Sequence, residues 1–394
     1  MSEKTTQRTL VFEDRTIVLV GTAHVSKISV DEVQEAVEKE RPDALAIELD
    51  NERLKSLQDR DDWKKMDIIN VLKKKQGFLL LANIVLSSYQ RKIGESSGVR
   101  PGDEMNAAVV KAQELGIEQY MVDRPVAVTM RRAWAENSFW GKCKLLSMLV
   151  ATAFSKEKVS EDEIENLKKS SEMDTMMKEL SDYLPAVKKV LIDERDFYLA
   201  SKIWSCPSKK TLAVLGAGHL NGVSSHLEKI ASGEETPDVS AIETVREKSL
   251  LAKAASWAIP VLIVALIVVG FIIGGIEKGA DLLGSWVVWN ATLSGLGALL
   301  ARGHVLAVLT AAVGAPFTSL CPFVGSGFFS GIVQALVKKP EVQDMENLQQ
   351  DAESFKGFYR NKILRVLLVF FFSSVGSSIG TFLGGASFVK IFAQ

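Results

Sequence analysis

Between residues 257 and 276 the chain reads WAIPVLIVALIVVGFIIGGI, twenty residues without a charge. A run of that length and polarity matches one helical crossing of the hydrocarbon layer of a bilayer. Charged residues flank it on both sides and further apolar stretches follow, which sets it apart from the core helix of a soluble domain. LLGSWVVWNATLSGLGALLA (282–301) repeats the signal, with Trp286 and Trp289 near one interface. VLAVLTAAVGAPFTSLCPFVGSGFFSGIVQALV (305–337) is too long for one straight helix, and Pro316 and Pro322 interrupt it. ILRVLLVFFFSSVGSSIGTFLGGASFV (363–389) is the last such stretch. Residues 257–394 are therefore expected to form an all-α transmembrane domain.

Loop charges orient these segments. Arg246, Lys248 and Lys253 precede the first, Arg302 follows the second, and Lys338, Lys339, Lys356, Arg360 and Lys362 lie between 338 and 362, while the EKGAD loop is net acidic. The positive-inside rule puts the basic loops on the cytoplasmic face, which requires 305–337 to enter and return as a proline-broken hairpin. The polar N-terminus MSEKTTQRTLVFEDRT lacks the apolar core of a signal peptide. The expectation is a multi-pass protein of the cytoplasmic membrane, in contact with lipid, with its N-terminal domain on the cytoplasmic side. Gly295, Gly297, Gly325, Gly327, Gly331, Gly376 and Gly380 favour close helix packing. With no Asp or Glu inside these spans to mark an ion path, an anchor is expected rather than a transporter.

Before residue 250 the chain is densely charged, and apolar runs alternate with amphipathic ones. TIVLVGTA (16–23), DALAIELD (43–50), IEQYMVDRPV (117–126) and TLAVLGAGHL (211–220) read as strands, separated by helical periodicity at 27–40, after Asn51 and at 102–116. Such alternation predicts an α/β fold with a largely parallel central sheet. Residues 63–98 and 138–205 look like helical insertions capping that sheet, residues 1–232 form the soluble domain, and the polar stretch 233–256 is the linker. The net charge of −1 over 394 residues gives no footprint for nucleic acid, and none is expected as a partner. Three well-separated cysteines, Cys143, Cys206 and Cys321, offer neither a disulfide framework nor a paired-cysteine zinc site.

Two strand ends share a pattern. VGTAHVS (20–26) and LGAGHLNG (215–222) each place a glycine three residues before a histidine, and His24 and His219 are two of only four histidines in the chain. Ligands of open parallel sheets bind beyond the carboxyl ends of the strands. Reading those ends gives His24, Glu48 with Asp50, Asp123 with Arg124, and His219. Two imidazoles and a carboxylate form a common divalent-ion set with positions open for water or substrate. Each residue also has an ordinary structural reading: a satisfied core histidine, a helix-terminal charge for Glu48, a surface ion pair for Asp123 and Arg124. Glu104, in PGDEMNAA, and Glu194, in ERDFYLASKIW, stand in first turns of helices, where capping competes with a role as general base or extra ligand. His226 reads as a solvated helix residue and His304 as an interfacial one. GAGHLNG lacks the following strand and acidic residue of a dinucleotide fold, and no GxSxG elbow marks a serine hydrolase.

With these residues assembled, the chain resembles the TraB/PrgY family, whose relatives include the Tiki metalloproteases. The resemblance is carried by GTAHVS (21–26), IELDNER (47–53), PGDEMNAA (101–108), DRPVAVTMRRAW (123–134), ERD (194–196) and GAGHL (216–220), in the family's order. It implies an α/β core with an internal repeat of two strand–GxxH–helix units, and an active centre built from the paired motifs and a glutamate. Tiki relatives are similar to manganese- or cobalt-dependent peptidases, and PrgY-like members block peptide pheromone signalling. Carried onto this chain, the resemblance nominates His24, His219 and Glu48 for Mn²⁺, Co²⁺ or Zn²⁺, with Glu104, Arg124 and Glu194 in support. The expectation is a membrane-anchored metal-dependent peptidase acting on peptides or unfolded protein segments, with Arg124 stabilising the oxyanion. Its alternatives are a membrane regulator that binds signalling peptides without cutting them, and a metal-free hydrolase using the histidines as bases. Homodimerisation is also expected, though no single residue stands behind it.

Overall fold

The computed structural model describes residues 7–22, 27–58, 67–74, 102–138, 181–245, 254–321 and 325–393, with shorter pieces between 76 and 88 and between 140 and 148. The described residues divide into two compact units, one drawn from 1–62 and 86–246, the other from 63–85 and 247–394.

The first unit is built on strands β1 (Gln7–Val11), β2 (Thr16–Thr22), β3 (Ala44–Ile47), β4 (Glu118–Met121) and β5 (Lys210–Gly216), in the order β1-β2-β5-β3-β4. All pairings are parallel except β1 with β2. The interior strands bury both faces, as parallel strands covered by helices must. Ile17, Leu19, Ala213 and Leu215 face one side and Val18, Val20, Leu212 and Val214 the other, following the two-residue period of a strand. Helices α1 (Lys27–Glu40) and α3 (Asp103–Leu115) cover the second face, α2 (Asn51–Gln58) follows β3, and α4 (Val126–Glu136) follows β4. Helices α5 (Glu194–Trp204) and α6 (Leu220–Ala231) cover the first face through Leu199, Ile203, Val223 and Leu227. Each such fully buried side chain contributes about 1.5–3 kcal/mol through removal from water. The expected mostly parallel α/β architecture is observed.

Three details add to the sequence reading. Strand β1 was not expected: QRTLV is a half-exposed edge, closed onto β2 by a turn in which the Phe12 amide donates to the Arg15 carbonyl at 2.8 Å. Within 138–205, α5 packs its apolar face on the sheet through Leu199, Ala200 and Ile203, while residues 149–180 lie outside the described residues. Within 63–98, helix Ile68–Lys73 groups with the second unit. Leu72 is 1% exposed there, and a Cβ on Gly331 would stand 3.3 Å from its Cδ1. A short apolar segment has packed on the small-residue face of another apolar helix.

The second unit contains α7 (Ala258–Leu300), α8 (Val305–Thr318), α9 (Ser326–Val337) and α10 (Lys362–Ala393). Two helices, Ala258–Leu300 and Lys362–Phe388, are long and apolar enough to cross a membrane by length and composition. Helix α7 reverses at Gly275, whose φ of 72° and ψ of −168° suit glycine alone. Beyond the reversal Ile263 packs with Leu282 and Trp286, which a continuous helix would hold about 30 Å apart. The turn therefore precedes EKGAD, and Glu277 and Asp281 lie in the next helix, not in a loop. Helices α8 and α9 pack together, with the His304 amide at the start of one donating to Gln334 Oε1 near the end of the other at 2.7 Å. Residues 322–324, with Pro322, lie outside the described residues. Glycines make the seams: a Cβ on Gly376 would overlap the Leu293 carbonyl, on Gly297 that of Phe372, and on Gly327 that of Phe370. Ser294, Ser326, Ser330 and Ser373 are buried between these helices and hydrogen-bonded to one another.

Candidate functional site

Strands β2 and β5 are neighbours, parallel and level at their carboxyl ends, where Gly21 pairs with Leu215 and Thr22 with Gly216. Thr22 Oγ1 donates to the Leu215 carbonyl at 3.1 Å. The two GxxH motifs thus leave adjacent strand ends. Gly21 is required by this packing: a Cβ there would overlap Leu220 and stand 3.2 Å from Ala217 Cα. His24 lies outside the described residues. His219 is described and buried, in a short 3₁₀ turn that runs into α6.

Around His219 the structure gathers a buried charge network. Glu48, at the end of β3, is 2% exposed. Its Oε2 accepts the Gly216 amide at 2.6 Å and its Oε1 accepts Arg195 Nη2 at 2.6 Å. Arg195 also donates to both oxygens of Asp123, at 3.1 and 2.8 Å. Burial alone would lower its pKa, but Asp123 and Glu48 outweigh this and hold the pKa above the ordinary arginine value. His219 Nε2 lies 3.6 Å from Glu48 Oε1, and Nδ1 lies 2.5 Å from Asp196 Oδ1. Burial pushes the Asp196 carboxyl up, partly opposed by His219. Gly222, one turn into α6, makes room for this contact, since a Cβ there would overlap Asp196 Oδ2. A carboxylate can only accept, so in this pairing Nδ1 donates to Asp196 and Nε2 is the ring nitrogen on the Glu48 side.

Consecutive residues on two elements pair with opposite polarity. Asp123 meets Arg195, and Arg124 meets Glu194 at 2.8 Å. Arg124 is 0% exposed and its donors are taken by Thr129 Oγ1, Glu194, and the Ile242 and Val190 carbonyls. It therefore faces away from Glu48, and the guanidinium beside Glu48 is that of Arg195. Arg132 completes the clamp with Nε and Nη2 on the two Glu194 oxygens, at 2.8 and 2.9 Å. Burial favours the neutral Glu194, yet the hydrogen bonds from Arg132 and Arg124 prevail and hold its carboxyl below the usual range. Glu194 follows directly on a π-helical turn, Lys189–Asp193, and its carboxylate serves this clamp rather than a helix cap.

The remaining nominated residues separate by role. Asp50 is the helix cap: its Oδ1 accepts the Glu52 and Arg53 amides at 2.8 and 2.9 Å. Glu104 is completely buried in the first turn of α3, and its neighbour Met105 shares a core cluster with Leu49. His226 pairs with Glu235 at 2.7 Å, and His304 Nδ1 accepts the Leu306 amide at the start of α8. The sequence reading passed over Arg195 and Asp196 as helix-start charges, although both stand in the ERD motif.

Among the described residues no group of three or more His, Cys, Asp or Glu is arranged to hold a metal ion. They provide two donors, His219 Nε2 and Glu48 Oε1. Two ligands each about 2.1 Å from one ion sit roughly 3.4 Å apart in a tetrahedral arrangement, close to the spacing of this pair. The donor types and spacing fit a divalent ion completed by a third ligand.

An α/β sheet with a histidine–carboxylate–arginine cluster at the carboxyl ends of its strands, followed by an apolar helical unit, defines the class of protein. Residues 9–234 match the model of the TraB/PrgY/gumN family, and residues 251–393 match that of the TraB family protein C-terminal domain. The chain belongs to the TraB/PrgY/gumN family. It is 32% identical over 372 residues to an uncharacterized protein of Methanocaldococcus jannaschii, covering 93% of each chain. It is 27% identical over 248 residues to a TraB domain-containing protein of Homo sapiens, and 28% over 241 residues to one of Mus musculus. Each of these two matches covers 54% of this chain and 63% of the relative.

Proposed function

We propose that this chain is a membrane-anchored, metal-dependent peptidase whose working centre is His219, Glu48 and His24. The observation that carries the reading is the imidazole Nε2 held 3.6 Å from the Glu48 carboxylate while Asp196 fixes its other nitrogen. Mn²⁺, Co²⁺ or Zn²⁺ would be held by His219 Nε2, Glu48 Oε1 and His24. Such an ion lowers the pKa of a bound water to about 7. Asp196 keeps the ring of His219 in one tautomer and one orientation. Glu194 is occupied between Arg124 and Arg132, which leaves Glu104 as the carboxylate assigned to accept a proton. Arg195, beside Glu48, takes the charge-stabilising role expected of Arg124.

The peptide substrate class rests on the family resemblance. The apolar side chains exposed on α7 and α8, such as Ile272, Ile273, Leu300, Val305 and Val313, support lipid as the surrounding medium. With the basic loops inside, the chain is a multi-pass protein of the cytoplasmic membrane with its sheet unit on the cytoplasmic side, and we carry homodimerisation with it. A quenched fluorescent peptide library, with and without chelator and added Mn²⁺, tests the activity alongside His24→Ala and His219→Ala. Metal-restored cleavage lost in both variants is the expected result. Cleavage unchanged by chelator overturns the metal, and peptide binding without cleavage favours the regulator.

A further inference from the structure

The polar stretch after α6 leads through residues 246–253 to the first long apolar helix, and the sequence reads it as a plain linker. In the structure its middle is held down. Arg132 Nη1 donates to the carbonyls of Ala241 and Thr244 at 3.2 and 2.5 Å, and Arg124 Nη1 to that of Ile242 at 3.0 Å. Glu243 pairs with Lys202 of α5 at 2.8 Å, and Tyr198 Oη lies 3.4 Å from the same carboxylate. The two arginines that hold this strap are the two that grip Glu194, and Glu194 is bonded in sequence to Arg195.

We propose that Arg132 is a positioning residue that ties the strap, residues 240–244, to the turn carrying Arg195, so that strap docking and the alignment of Arg195 on Glu48 and Asp123 form one linked equilibrium. A guanidinium holds its five N–H groups in a rigid fork. Arg132 aims Nε and Nη2 at Glu194 and Nη1 at the strap, so it satisfies both only when the strap is in place. A buried N–H without an acceptor is costly. Release of the strap therefore turns Arg132 toward other acceptors and draws Glu194, and with it Arg195 and Asp196, out of register. Movement of the strap reaches the site through these carbonyls. The functional weight of this coupling rests on the proposed site, but the coupling itself is read without any chemistry.

Hydrogen exchange followed by mass spectrometry on the full chain in detergent tests it, using Arg132→Ala and Glu243→Lys. The second variant places like charge against Lys202 and leaves Arg132 intact. The expected result in both is at least tenfold faster exchange at 240–244, accompanied by at least tenfold at 194–198 and 216–219, with 17–20 and 212–214 unchanged. Arg132→Lys, which keeps the charge without the fork, falls between. Faster exchange confined to the strap, a uniform rise that includes the sheet, or an unchanged strap would each overturn the proposal. A peptidase assay that fails leaves these readings untouched.

Discussion

Replacing Arg195 with methionine removes the only cation bonded to both Glu48 and Asp123 among the described contacts. Three hydrogen bonds go with it, and the side chains left behind are 2% and 1% exposed. Breaking a buried ion pair by deleting one partner costs about 3–5 kcal/mol, because the orphaned charge stays desolvated. Arg195 itself is 18% exposed, so water entering its place relieves part of the strain and about 3 kcal/mol is the working figure. Arg53, 3.7 Å from Asp123 and more exposed, supplies little compensation. With a urea dependence of about 2–3 kcal/mol per molar, the unfolding midpoint of the sheet unit falls by roughly 1–1.5 M. Pulse proteolysis of the detergent-solubilised protein across a urea series reads that midpoint. The triple variant Glu48→Gln, Asp123→Asn, Arg195→Met removes the charges together and recovers more than half of the loss. A single-variant shift below about 0.3 M, or a triple variant no more stable than Arg195→Met, would refute the reasoning that this cluster is held by mutual charge compensation.

Three further outcomes follow from the same contacts. Gly222→Ala drives a Cβ into Asp196 Oδ2, so the His219 ring loses its fixed tautomer; nitrogen-15 NMR of labelled histidine shows mixed tautomers in the variant and one in the parent, and identical spectra contradict it. Glu194→Gln costs about 3 kcal/mol at pH 7 by leaving Arg124 and Arg132 without their anion. The Glu194 carboxyl has a depressed pKa in the folded state, so its contribution is present above about pH 4.5 and is lost as pH falls through the folded value. The stability gap between the two proteins should accordingly close below pH 4.5, and a gap constant from pH 7 to 3 argues against the clamp. In the apolar unit, Gly376→Ala meets the Leu293 carbonyl and lowers stability by about 1–3 kcal/mol in a thermal scan, whereas Gly314→Ala meets open space and leaves it unchanged.

What the sequence revealed divides along physical lines. The β-branched runs of β2 and β5 announce themselves because both faces are buried, and the glycine and histidine at their ends follow directly. Glu48 was legible for the same reason, standing where an apolar run stops. Arg124 was legible as a strand-end charge, but neighbouring residues point opposite ways, and the sequence cannot say which of Asp123 and Arg124 turns inward. Its exchange with Arg195 depends on a pairing across 72 residues, which local periodicity does not report. Strand β1 escaped notice because a half-exposed edge carries a weak alternation. The stretch 63–98 was ambiguous in principle: a short apolar run fits a sheet or an apolar helix equally well, and Leu72 of this stretch lies where a Cβ on Gly331 would stand 3.3 Å from its Cδ1. In α7 the composition located the reversal to within a few residues, and Gly275 set its place.

The central claim is that two GxxH motifs on adjacent strands and one glutamate act on a single ion. Equilibrium dialysis of the full chain against Mn²⁺ and Co²⁺, with metal analysis of the protein fraction, measures this directly. One ion per chain is expected, with binding lost in His24→Ala, His219→Ala and Glu48→Gln and weakened in Asp196→Asn, each variant remaining folded by circular dichroism. Stoichiometric binding that survives His24→Ala or His219→Ala, or no ion retained by the parent protein, would contradict the account.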